Sequence, residues 1–134
     1  MLFADPLQLQ RSANGDAEFR RAARYWNATL SLETSTQALC IEIVDGQIVN
    51  CQAGQPGVAA TLTVAATEDG WERFLAPVPA PFYQDLLGGC VQHHDFTVAG
   101  DMLTLSAYYQ ASQRLFAIMR ALRSMGQEES HGTL

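Results

Sequence analysis

The chain has 134 residues, a formal net charge of −6 and 48% apolar residues. All eight basic side chains are arginine, and there is no lysine. That length fits one domain, residues 1–134, able to bury roughly two-thirds of its unfolded surface without staples. The acidic balance argues against nucleic acid and against an acidic membrane surface as partners, because both are bound through clustered cations.

Cys40, Cys51 and Cys90 are odd in number and lack metal-ligand or redox spacing, so they read as reduced, buried thiols. The N-terminal residues have neither a basic region nor a sustained apolar run, unlike a secretory leader. No stretch approaches the roughly 18 uninterrupted apolar residues of a transmembrane segment. The expected compartment is the cytoplasm.

In chain order, the first dozen residues read as a loose lead-in. Asn14-Gly15-Asp16 starts a helix, with Asp16 and Glu18 in or near its first turn. Phe19, Ala22, Ala23 and Trp26 fall on one face of this helix, which is expected to end near Asn27. Arg20, Arg21 and Arg24 lie on the other face. They could grip an anionic head group, but a solvated face paired with Asp16 and Glu18 is the preferred reading.

Strand patterns follow at Leu30 to Leu32, Leu39 to Val44 and Ile48 to Cys51, with Asp45-Gly46 as a hairpin turn. Val58 to Ala66 reads as a fourth strand. Thr67-Glu68-Asp69 then caps a short helix carrying Trp71, Phe74 and Leu75, which Gly70 weakens by about 1 kcal/mol relative to alanine. Pro77, Pro79 and Pro81 enforce an extended link to a second short helix, Phe82 to Leu87, closed by Gly88-Gly89. Phe96 and Val98 mark a fifth strand, and Asp101 caps a long final helix. The polar residues from Gln127 onward read as a frayed tail. Early strands flanked by helices make the class α+β.

The final helix carries two apolar stripes. Met102, Leu105, Tyr109, Phe116 and Met119 form one, and Tyr108, Ala111, Leu115, Ile118 and Leu122 form the other. A surface helix needs one such face. The surplus points to a ligand cavity or to a partner subunit, in the simplest case a homodimer. Trp71, Phe74, Leu75, Phe82 and Leu86 on the short helices, with Met102, Leu105, Tyr109 and Phe116, supply the apolar walls a ligand pocket requires.

Catalytic signatures are few. There is no phosphate loop, no zinc spacing and no nucleophile elbow. No catalytic residue, metal or cofactor is therefore assigned. His93-His94-Asp95 is the main polar cluster, and neighbouring strand residues face opposite ways, so the two histidines do not readily share a metal. An alternative reading is a small cyclase, isomerase or dehydratase that uses one of these histidines with Asp95.

Thr61-Leu62-Thr63-Val64, Glu68-Asp69-Gly70-Trp71-Glu72-Arg73-Phe74-Leu75 and Phe96-Thr97-Val98-Ala99-Gly100-Asp101, in this element order, resemble the sterol carrier protein type 2 family over about residues 16–123. The resemblance implies a five-stranded, mostly antiparallel sheet covered by helices. It also implies a non-catalytic apolar tunnel for a lipid or other hydrophobic small molecule. Phe74, Phe82, Leu86, Met102, Leu105, Tyr109 and Phe116 would line that tunnel. The chain departs from the family pattern at His93-His94-Asp95, where Gly-Lys is common, and at the proline-rich link.

Overall fold

The computed structural model describes residues 2–76 and 96–132, with side chains as far as Met125. The proline link, the second short helix with Phe82 and Leu86, Cys90 and the His93-His94-Asp95 cluster lie outside the described residues. The lead-in is not loose. Asp5 accepts hydrogen bonds from the Leu7 and Gln8 amides and caps α1, Pro6–Asn14, whose Leu9 and Ala13 are fully buried. Pro6 suits the first helical turn because no partner for its missing N–H is needed there.

Asp16 caps α2, Ala17–Ala22. This helix ends five residues before the expected Asn27, and Tyr25 then takes a left-handed φ of 69°. The bend lets Trp26 stay in the core although it has left the helix. Strands β1, Ala28–Glu33, β2, Ala38–Val44, and β3, Gln47–Gly54, form an antiparallel meander. Asp45 and Gly46 both have positive φ at its hairpin turn, as the short turn requires. A bulge sets Val49 outward, so Ile48 and Cys51 both face in despite their spacing of three.

Strand β4 begins at Leu62 rather than Val58 and runs to Ala66, parallel to β1. The residues before it are used to cross over the sheet: the Gly57 amide donates to the Glu33 carboxylate at 3.2 Å on the way. Thr67 caps α3, Glu68–Phe74, and β5, Phe96–Gly100, closes a five-stranded sheet of order β3-β2-β1-β4-β5. One pair is parallel and the rest are antiparallel.

The long final helix is interrupted at Tyr108. Asp101 caps α4, Met102–Ala107, and α5 runs from Tyr109 to Gly132, through much of the expected frayed tail. Along α5, Ala111, Leu115 and Ile118 are buried together with Phe116 and Met119. Most of both apolar stripes is thus used inside one chain, against the sheet and the other helices, while Met102 stays exposed.

The helix-covered side of the sheet reads as two rows of paired residues, buried at the centre and exposed at Ala53 and Gly100 on the edge strands. One is Cys51, Ile41, Leu30, Leu62 and Gly100; the other is Ala53, Leu39, Leu32, Val64 and Val98. Helix α1 packs on β3, and α5 packs on α1 and α2. The Asn14 amide pairs with both backbone groups of Ile48 at 2.9 and 2.8 Å, occupying part of the free edge of β3.

Candidate functional site

The sheet rows meet the last two helices in an apolar seam. Leu30 and Leu32 of β1, Leu62 and Val64 of β4, Leu105 of α4, and Ser112, Leu115 and Phe116 of α5 line it. Alternation places the four strand residues on one face. On α5, the i and i+3 or i+4 spacing brings Ser112, Leu115 and Phe116 over them. Ser112 is the one polar lining residue, and its hydroxyl donates to the Tyr108 carbonyl at 3.1 Å, so it offers the seam little polarity. The open space is about 10 Å³, room for about one water molecule. A lipid-sized site needs roughly 300 Å³ or more.

An aromatic cluster stands beside the seam and shares Phe116 with it. Trp71 meets Phe3 at 5.1 Å, Phe96 at 4.9 Å and Phe116 at 6.2 Å, while Phe74 meets Phe116 at 5.0 Å edge-on. The Trp71 indole N–H is satisfied by the Glu33 carbonyl at 2.9 Å, as a buried donor requires. Helix α3 is fastened to α5 by cations at its C-terminal end. Arg120 Nε donates to the Phe74 carbonyl at 2.7 Å and its guanidinium lies 4.7 Å above the Phe74 ring. Arg123 donates to the Leu75 carbonyl and pairs with Glu72 at 2.7 Å. Burial pushes the Arg120 guanidinium below the usual arginine value, and these contacts place it where the helix dipole favours positive charge.

The carboxylates of the α2 start are not spent on the α2 arginines, contrary to the sequence expectation. Arg114 of α5 takes Asp16 in a two-pronged pair, 2.7 Å from Nη2 and 3.1 Å from Nε, and reaches Glu18 at 3.5 Å. A guanidinium fork matches a carboxylate better than helix neighbours can, and tertiary packing brings it there. The Arg114 hydrogen bond holds the Asp16 carboxyl below its ordinary range, helped by the Phe19 amide. Burial pushes the Cys51 thiol up to about 12, so it is no nucleophile at neutral pH.

Of the residues expected to line a pocket, Leu105 and Phe116 line the seam. Trp71, Phe74 and Leu75 are fully buried in the adjoining core. Tyr109 packs at the margin of that core, and Met102 lies 45% exposed at the start of α4. Phe82 and Leu86 fall outside the described residues. The sequence reading missed the sheet's share: Leu30, Leu32, Leu62 and Val64 carried the signal as alternation, but alternation does not say which strands become neighbours. Among the described residues, no group of three or more His, Cys, Asp or Glu side chains could hold a metal ion.

No protein-family model matches the sequence, and no curated protein matches it either. Solved structures do. A crystal structure of sterol carrier protein 2 superposes with a TM-score of 0.71 at 19% identity, covering 85% of this chain and 92% of that one. A conserved hypothetical protein from Thermus thermophilus, described as a candidate sterol carrier protein, gives 0.69 at 19% identity over 86% and 83%. The ubiquinone synthesis protein UbiJ-SCP2 gives 0.53 at 17% identity over 83% and 88%. The resemblance read from the sequence therefore holds at the level of architecture: this chain has the sterol carrier protein 2-like α+β fold.

Proposed function

We propose that the protein binds or transfers a lipid or another hydrophobic small molecule in the seam between the sheet and the last two helices, without catalysis. The observation that carries this reading is the seam itself. Seven of its eight lining residues are apolar, and they are drawn from β1, β4, α4 and α5. The likeness to sterol carrier protein 2 supports it. Burying apolar ligand surface there gains about 25 cal/mol per Å², which needs no reactive group.

With about 10 Å³ open, entry requires a wall to move. Helix α4 is the wall that supports this role. It is six residues long, buries only Leu105, and leaves Leu103 83% exposed. A short element with few buried contacts opens at low cost. In this reading Trp71, Phe74 and Leu75 form the rigid back of the site, with Tyr109 and Met102 at its rim. The cytoplasm is the compartment that fits the free thiols of Cys40 and Cys51, and no helix among the described residues is long and apolar enough to cross a membrane. Association with a second copy would draw on exposed Met102 and Leu103, since Ala111, Leu115, Phe116, Ile118 and Met119 of α5 are already buried; light scattering reads it.

Native mass spectrometry of the purified protein, followed by displacement of a fluorescent fatty acid, tests the function. The competitor panel holds fatty acids, sterols, phospholipids and, given the UbiJ-SCP2 neighbour, ubiquinone. Saturable binding of one class with one ligand per chain is the expected result. Failure of every class to bind or to displace the probe would sink the reading.

A further inference from the structure

A second concavity lies apart from the seam. Arg20, Arg21 and Arg24 share it with Ala17 and with Asp45, Gly46 and Gln47 of the β2–β3 turn, around about 390 Å³. That is within the range of a small-ligand site. Its wall is held by backbone contacts. The Gly46 amide donates to the Trp26 carbonyl at 2.9 Å, and the chain approaches so closely that a Cβ on Gly46 would lie 2.7 Å from the Ala23 carbonyl oxygen.

Three like charges share one cleft and repel, and the one carboxylate in its lining is Asp45. Asp16 and Glu18, the acids of the same helix start, are both engaged by Arg114. Among the described residues, none of the three arginines forms an ion pair, Asp45 of the opposite wall included. Arg24 is pre-oriented instead, its guanidinium 4.8 Å above the ring of Tyr25. Tyr25 itself is 64% exposed and holds the left-handed φ of 69°, an unfavourable conformation for a bulky side chain. On a chain of net charge −6, this is a local group of cations without an ion-pair partner among the described residues.

We infer that the cleft binds a small phosphate-bearing molecule, with the phosphate seated among Arg20, Arg21 and Arg24. Guanidinium groups present planar pairs of donors that match phosphate oxygens, and several of them together satisfy a dianion better than a single carboxylate. A concave site on an acidic chain favours a soluble anion over a membrane surface, which would face the repulsion of the whole molecule. The inference is independent of any ligand in the apolar seam.

Isothermal titration calorimetry of the full chain with pyrophosphate and with glycerol 3-phosphate, at constant ionic strength, tests it. Saturable binding is expected, with Arg20→Ala and Arg24→Ala each weakening it about tenfold and Arg20→Lys retaining part of it. Arg11→Ala on α1, outside the cleft, serves as the control and is expected to bind like the parent. Circular dichroism confirms that each variant is folded. Absence of saturable heat, equal binding by the alanine variants, or equally effective competition by chloride would overturn the inference. Binding confined to vesicles containing phosphatidic acid would also overturn it, in favour of a membrane surface.

Discussion

Gly100 ends β5 at φ +118°, and a Cβ there would sit 2.1 Å from the Thr61 carbonyl oxygen. That carbonyl accepts the Asp101 amide at 2.9 Å, so the crowding belongs to the joint between β4, β5 and α4. Gly100→Ala must move backbone rather than a flexible side chain. A loss of more than about 2 kcal/mol in urea unfolding is expected, at the high end for single substitutions. Cys51 makes the opposite kind of prediction. With its thiol buried and pushed up to about 12, iodoacetamide at pH 8 should leave it unmodified in the native protein and label it in urea. Tandem mass spectrometry of the tryptic peptide Tyr25–Arg73, which also carries Cys40, locates the label and distinguishes the two, and rapid native labelling of Cys51 would contradict the burial.

Between elements, Asp16 does two jobs at once: it accepts the Phe19 amide at 2.7 Å as the cap of α2, and it pairs with Arg114 of α5. Its carboxyl is held below the ordinary value. The folded state therefore gains stability that is complete above the unfolded-state value of about 3.9 and is lost as pH falls through the lower folded value. Asn caps a helix about as well as Asp, so Asp16→Asn isolates the ion pair and should be less stable than the parent at pH 7, by up to about 1 kcal/mol. The gap in urea midpoint should narrow as pH falls below the unfolded-state value of about 3.9 and close once the folded-state carboxyl is protonated. A gap independent of pH would remove the ion pair from the account. At the seam, Ser112→Phe adds bulk where only about 10 Å³ is open. Overpacking should cost about 1–3 kcal/mol and weaken binding of the fluorescent fatty acid, while a control at exposed Gln52 on β3 leaves binding unchanged.

For the molecule as a whole, stability should be graded rather than uniform. Strand β1 is paired on both sides and carries Leu30 and Leu32 in the core, whereas α4 buries only Leu105. Hydrogen exchange should therefore find the slowest amides in β1 and β2, and amides of α4 exchanging through local opening. Protection of α4 equal to that of β1 would exclude α4 as the movable wall. A bound hydrophobic ligand should slow α4 exchange and raise the melting temperature, because a ligand specific to the folded state stabilises it by mass action.

Much of this architecture is legible locally. The Asp45-Gly46 turn, the Thr67 and Asp101 caps and the alternation at Leu39, Ile41 and Ile43 are short-range chemistry, and each appears in the structure at its place. Helix α1 escapes a sequence reading because its apolar signal is only Leu7, Leu9 and Ala13 in a polar segment, and Leu7 does not share the buried face of the other two. The break at Tyr108 escapes it because the apolar spacing runs through that residue, and the stack of Tyr108 on Trp26 at 5.0 Å is a tertiary contact. The sequence by itself determined the class of fold, the hairpin, the helix starts and the supply of apolar surface, since turns, caps and periodicity act within a few residues. Only the tertiary structure decided that β4 lies parallel beside β1, that the seam is walled by Leu30, Leu32, Leu62 and Val64, and that Asp16 answers to Arg114. Those outcomes join residues up to 98 positions apart, and nothing in a local pattern says which distant partner will meet which.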